Sequence, residues 1–372
     1  MILPCQRHLF DLPREVAYLD NAANGPLPLA VRQAGIDGMD TKFRPWAHDR
    51  DADEAWAERC RAAAAALIGA RAQDIAIVSS ISHAMAVARR NIAVPAGHRV
   101  LRIAAEFPSV ALPWDDDPGV VTDTVRRPAD GDWTGAILER LADPAAPPLA
   151  LATLTPMHWS DGALIDLDRI VPVVKAMGAA LVIDATQMVG ALPLDVARWQ
   201  PDFLAFPTYK WVLGPYSLAF LYAAPHRQDG RPLAPNQKNQ PGSDPIGFGA
   251  RRYDKGERND PVGLPMAATG MELVLSWGVD RVEARLRHLT DLLAARLAAL
   301  GLPVAPRAAR AANILGLRLP GGIPPGLVES LAAQRVFCCE RLGALRLSPH
   351  VYVDEADIDR VARAIEAALA PA

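Results

Sequence analysis

The chain has 372 residues, with 39 Lys and Arg against 42 Asp and Glu for a formal net charge of −3, 51% hydrophobic residues, 33 Pro and 26 Gly. A chain this apolar and this nearly neutral buries a large core, which excludes disorder, and its length predicts two or three structural units. No basic run exceeds pairs such as Arg89-Arg90 and Arg251-Arg252, so the electrostatic footprint of a nucleic-acid partner is missing. The opening stretch MILPCQRHLFDLP carries a proline and charges where a secretory segment needs about 7–15 apolar residues, and no later run approaches the roughly 18 needed to span a bilayer. The expectation is a soluble, cytoplasmic protein without a membrane partner. Cys5, Cys60, Cys338 and Cys339 offer neither a C-x-x-C pair nor a disulfide framework, and adjacent cysteines are poor zinc chelators, so free thiols and no metal site are expected.

From about Asp53 the chain alternates helix-like and strand-like segments. Residues 54–70 are Ala-rich and read as helix, 75–78 (IAIV) as a short strand, Ser79-Ser80-Ile81-Ser82 as a polar turn, and the following MAVARRNIA as helix. Apolar runs recur at 99–104, 149–154, 179–185 and 202–207, of the kind buried on both faces of a mainly parallel sheet, so the fold class is α/β. After the strand-like 218–225, a polar stretch from about His226 to Pro261 is too long for an ordinary connector and reads as functional or interfacial. Two helical patterns follow, the second with the 3.6-residue spacing of a long amphipathic helix joining two domains. Beyond Gly301 the order strand (ILGLRL), helix (GLVESLAAQ), strand (VFCCER), strand (ALRLSP), helix (EADIDRVARAIEAAL) predicts a compact α+β unit. No G-x-G-x-x-G opens a helix after any predicted strand, which argues against a dehydrogenase.

Asp184 ends one predicted strand, and Lys210 follows the next in FPTYKW. In an open α/β sheet the carboxyl ends of the strands border the ligand crevice, so this carboxylate and this amine are expected to converge. Tyr209 and Trp211 bracket the lysine and Gly214-Pro215 follow it, an apolar setting that lowers an amine's pKa and makes it nucleophilic. The Ser80-Ile81-Ser82-His83 turn opens a helix, where backbone N–H groups and the helix dipole favour a phosphate.

The blocks YLDNAA, SSISHA, EFPS, HWSDGALIDL, VIDATQ, TYKW-x-x-GP and RLSPH occur in the order and spacing of a known family. With them the chain resembles the fold-type I pyridoxal-phosphate enzymes of the class V aminotransferase group, which includes cysteine desulfurases, isopenicillin N epimerase-like proteins and kynureninase. The resemblance implies a large domain on a mainly parallel sheet (29–278), an N-terminal segment (1–28) packed on the small domain and the active site, and a connecting helix with a small C-terminal domain (279–372). It implies a homodimer with shared active sites, pyridoxal 5′-phosphate as cofactor and a small-molecule amino acid as substrate.

By the same resemblance Lys210 would hold the cofactor as a Schiff base and move the proton at Cα. Asp184 would pair with the pyridinium nitrogen, Gln187 would donate to the phenolic oxygen, and Phe107 would stack on the ring where many relatives carry histidine. Ser80, Ile81 and Ser82 would bind the phosphate, although relatives more often have glycine-threonine-threonine there. Thr208 and Tyr209 precede the lysine as in kynureninase-like members, and Asn259 is similar to a position that caps the phosphate from the neighbouring subunit. Arg346 would grip the substrate α-carboxylate, with Asn24, His158, Trp159 and His350 on the substrate side. Cys338 and Cys339 lie in a strand-like segment and not in a mobile loop, which argues against persulfide-based desulfuration. The reaction favoured at this level is a lyase step cleaving a side-chain bond, for example C–S β-elimination. A class V aminotransferase, an epimerase and a non-catalytic binding protein on the same fold are the alternatives.

Overall fold

The structure is a computed structural model that describes residues 2–47, 49–115, 119–240 and 248–370. Residues 241–247 of the long polar stretch therefore lie outside the described residues. A two-residue strand, β1 (Ala17–Tyr18), is followed by the strands of the central sheet: β2 (Ile75–Val78), β3 (Arg99–Ile103), β4 (Val121–Val125), β5 (Leu149–Leu154), β6 (Ala180–Asp184), β7 (Phe203–Pro207) and β8 (Ala219–Ala223). Their order is β2-β8-β7-β6-β5-β3-β4. All neighbours pair in parallel except around β8, which runs against both β7 and β2. The carboxyl ends of β2, β3, β5, β6 and β7 consequently share one edge of the sheet.

Every residue of β2, β6, β7 and β8 is buried, as expected of strands covered on both faces. Alternate side chains feed two cores: Ile75, Ile77, Leu181 and Ile183 pack on one side of the sheet, and Ala76, Val78, Ala180 and Val182 on the other. β4 is absent from the sequence reading. Its VTDTV pattern alternates exposed and buried positions, because it is an edge strand with a single neighbour, so it lacks the apolar run that marks the inner strands.

Helices Gly263–Trp277 and Val279–Ala299 are separate because Gly278 between them adopts φ +81°, a conformation that a side chain disfavours. Beyond them β9 (Leu315–Leu317), β10 (Val336–Phe337), β11 (Cys339–Arg341) and β12 (Ala344–Leu347) come with helices Leu327–Ala333 and Glu355–Leu369. The last helix starts at a capping box formed by Asp354 and Asp357. VFCCER, expected as one strand, is two. Val336–Phe337 pairs in parallel with β1, whereas Cys339–Arg341 pairs with β12 in an antiparallel sheet ordered β11-β12-β9. The chain changes sheets at Cys338 because its two halves have different partners.

The N-terminal segment is thereby tied to the C-terminal unit. Phe10 meets the Tyr352 ring edge-on at 5.1 Å, and Arg7 bonds the buried Asp357 carboxylate at 2.8 Å. Part of the polar stretch is structural as well: the fully buried Asp254 pairs with Arg61 and accepts from the N–H of Ile77 at 2.8 Å. Among the described residues no helix is long and apolar enough to cross a membrane.

Candidate active site

At the shared edge of the sheet lies a cavity of about 400 Å³, the size of a small-molecule site. Much of its wall comes from the ends of the sheet's strands. Asp184 is the last residue of β6, Lys210 stands three residues beyond β7, Ser79–Ser82 follow β2, Glu106 and Phe107 follow β3, and Thr155 and Trp159 follow β5. The convergence expected of Asp184 and Lys210 is thus a consequence of strand order.

Lys210 is 7% exposed. Burial pulls its pKa down to about 8, against the opposing attraction of Asp184. Its Nζ lies 5.8 Å from the centre of the Phe107 ring and 5.5 Å from that of Tyr209. Asp184 is buried and its pKa is raised by that burial, while hydrogen bonds from Thr186 to Oδ1 and the charge of Lys210 work the other way. Gln187 Oε1 accepts from Trp211 Nε1 at 2.8 Å and its Nε2 donates to the carbonyl of Ala22 at 3.1 Å, which leaves the amide one further donor.

The helix Ile81–Asn91 begins at the wall, where Ser80 Oγ accepts from the His83 N–H. Its first-turn N–H groups have no partner inside the helix and present partial positive charge. Across the cavity, Arg346 is 2% exposed; its Nη1 donates to the carbonyl of Trp159 at 3.0 Å and its Nη2 to Asp20 Oδ1 at 3.2 Å.

Ten residues named from the sequence therefore line the cavity: Lys210, Asp184, Gln187, Phe107, Ser80, Ile81, Ser82, Tyr209, Trp159 and Arg346. Five do not. The Thr208 hydroxyl is taken up by the carbonyls of Pro215 and Leu218. His158 is fully buried behind Trp159, stacked on Trp133 at 5.3 Å with Nδ1 on Ser160 Oγ, and its pKa is lowered by burial. His350 is fully buried too: Nδ1 accepts from Val351 N at 2.7 Å, so Nε2 carries the proton donated to the carbonyl of Trp211 at 3.2 Å. Asn24 is exposed and its carbonyl accepts from the Tyr18 hydroxyl at 2.7 Å. Asn259, expected to serve a neighbouring subunit, lies off this chain's own cavity with Nδ2 on Glu54 Oε1 at 2.9 Å.

Other wall residues escaped sequence reasoning. Tyr216 stacks on Tyr209 at 4.2 Å, and Arg341 joins Arg346 on the wall. Glu106 is buried, accepts from Phe107 N at 2.7 Å through Oε1, and has no partner for Oε2 among the described residues. Burial, and then the charge of Asp184, pushes its pKa up to about 8. The available signal was position, since Glu106 immediately precedes Phe107 beyond a strand end. Cys338 and Cys339 stay off the wall, their thiols pushed up to about 12 and about 11 by burial, and Cys339 Sγ donates to Asp20 Oδ1 at 3.0 Å.

Residues 17–361 match the family model for aminotransferase class V. The chain belongs to the class V aminotransferase family. It is 27% identical to the uncharacterised aminotransferase YcbU of Bacillus subtilis, over 93% of this chain and 92% of that one. It is 24% identical to isopenicillin N epimerase of Streptomyces clavuligerus, over 83% of each. Among solved structures it shares the fold of the cystine C–S lyase C-DES, seen with its reaction product cysteine persulfide (TM-score 0.83, 18% identity, 95% of this chain and 98% of that one). A C-DES variant with glycine linked to its PLP cofactor also matches (TM-score 0.85, 18% identity, 97% and 99%).

This class V chain is a pyridoxal 5′-phosphate-dependent enzyme of the fold-type I class. The cavity suits that group: a buried amine of lowered pKa, a buried carboxylate, an aromatic face at Phe107 and a helix N-terminus beside serine hydroxyls surround one space.

Proposed function

We propose that the protein is a lyase that cleaves a side-chain bond of a small amino-acid substrate, with C–S β-elimination as the type reaction. The observation that carries this reading is that Lys210 supplies the one amine on the cavity wall among the described residues, while histidine and cysteine side chains are absent from that wall. When bound, pyridoxal phosphate supplies an electron sink for charge developing at Cα. Lys210 would be the attachment point for it, and the amine, whose pKa burial lowers to about 8, would be the group that moves the proton at Cα. Asp184 would keep the ring nitrogen protonated, Gln187 would donate to the phenolic oxygen, Phe107 would cover the ring, and Ser80, Ile81, Ser82 and Tyr209 would hold the phosphate end. Arg346 orients the substrate through its carboxylate.

A two-base epimerisation calls for a second proton carrier on the face of Cα opposite Lys210; His83 and His158 do not border the cavity, whereas Tyr209 does, its pKa raised by burial. Persulfide chemistry calls for an accessible thiolate, and the thiol of Cys339 is buried with a raised pKa. Transamination is the second reading, favoured by the likeness to YcbU.

The test is to purify the protein with pyridoxal phosphate, record the visible absorption band, and supply amino acids including cysteine conjugates. Pyruvate and ammonia are expected from one of them, with the band and the products both lost in Lys210→Ala. Conversion of the cofactor to its amino form without ammonia would replace the lyase reading by transamination. A wild type that acquires no visible band would refute both.

A further inference from the structure

The hairpin of β11 and β12 sets Cys339 opposite Arg346 and Arg341 opposite Ala344. Directly paired residues, and residues two apart on one strand, share a face of a sheet. Cys339, Arg341, Ala344 and Arg346 therefore stand on the same face, from which both arginines reach the cavity wall. The two guanidinium groups differ in what they already hold. Arg346 is buried and engaged by Asp20, Trp159 and Cys339. Arg341 is half-buried, forms no ion pair among the described residues, and makes its one hydrogen bond to the carbonyl of the adjacent Glu340 at 2.8 Å. Ala344 opposite it is too small to fill the space or pair the charge. Arg341 also stands next to the exposed Leu342, toward solvent, whereas Arg346 lies deeper beside Asp20.

We infer that Arg341 is a specificity residue that binds a second carboxylate, at the far end of the substrate side chain, so that the substrate is an amino acid bearing a distal acid group. This rests on the amino-acid reading above, in which Arg346 takes the α-carboxylate. The wall then carries one cation for each substrate anion, with Asp20 already balancing part of the charge of Arg346. An unpaired guanidinium lining a confined cavity gains a charge-assisted, two-pronged hydrogen bond from a carboxylate, and gains far less from a neutral amide of the same shape. Lys210 feels the same charge, because Arg341 contributes to the lowering of its pKa.

The experiment uses the cofactor-loaded full chain and two isosteric probes, S-carboxymethyl-L-cysteine and S-carbamoylmethyl-L-cysteine, with the change in the visible cofactor band as the binding readout. The acid is expected to half-saturate at a concentration roughly 10–100-fold below the amide, the ratio expected for one charge-assisted bond, and added salt should narrow the gap. Arg341→Ala should erase most of the preference by weakening the acid alone, and Arg341→Lys should restore part of it. Equal binding of both probes by the wild type would overturn the inference. So would equal weakening of both in Arg341→Ala, which would give Arg341 the α-carboxylate instead. A cofactor-loaded protein whose band responds to neither probe nor to any other amino acid would instead bring down the functional reading, and this inference with it.

Discussion

Lys210 and Glu106 both have a pKa near 8, and burial is the leading cause for each. Loss of water penalises whichever form is charged, so the amine gives up its proton early and the acid keeps its proton late. For Glu106 the sign is unfavourable at alkaline pH. Its folded pKa lies above the ordinary 4.5, so its contribution is fully present below about pH 4.5 and is lost as pH rises through about 8. In the cofactor-free protein, Glu106→Gln should therefore remove a decline in unfolding free energy of up to roughly 5 kcal/mol between those limits. Urea unfolding at a series of pH values measures this, and parallel curves for wild type and variant would refute it. Lys210 and Asp184 were legible in the sequence because each follows an apolar run at a strand end. Arg341 was not, since a hairpin register has no local signature, and Glu106 offered only its place beside Phe107, which does not reveal the lost hydration shell that distinguishes it.

Elements were legible in proportion to how far their residues are buried on both faces. β2, β6, β7 and β8 announce themselves as short apolar runs, whereas the edge strand β4 and the break at Cys338 depend on which neighbour is or is not there. The YLDNAANGPLP segment shows the same dependence on partners. Gly25 N donates to the carbonyl of Tyr209 at 2.9 Å, and a Cβ on Gly25 would stand 2.6 Å from the carbonyl oxygen of Lys210. A backbone oxygen cannot rotate away as a side chain can. Gly25→Ala should therefore push the N-terminal segment off the lysine loop, at a cost of about 1–3 kcal/mol. A lowered melting temperature together with weaker uptake of pyridoxal phosphate is the expected result. Full retention of both would show that the segment yields freely.

At the scale of the whole molecule, a row of rings joins the lysine loop to both distant parts of the chain. Trp211 stacks on His350 at 5.5 Å, His350 on Tyr352 at 5.8 Å, and Tyr352 meets Phe10. Burial depresses the pKa of His350 to about 4 from the ordinary 6.5. The folded state thus binds fewer protons there than the unfolded chain. Stability from this site is complete above about pH 6.5 and drains away as pH falls toward 4, with a loss approaching ~3 kcal/mol. His350→Gln keeps an N–H donor for Trp211 but does not titrate, so its stability should fall less steeply over that range while being lower at pH 7. Identical pH dependence in the two proteins would remove His350 from the acid response.

The contact between Asp20 and Cys339 joins residues 319 apart in sequence. Arg346 and the pairing of β1 with β10 belong to the same junction. On a ribosome adding about 5–20 residues per second, the first twenty residues wait on the order of tens of seconds before the strand they pair with exists. The large sheet has by then been completely synthesised, yet the arginine side of its cavity is still missing. Synthesis therefore delivers the lysine and every strand of the large sheet before the arginines of the substrate wall.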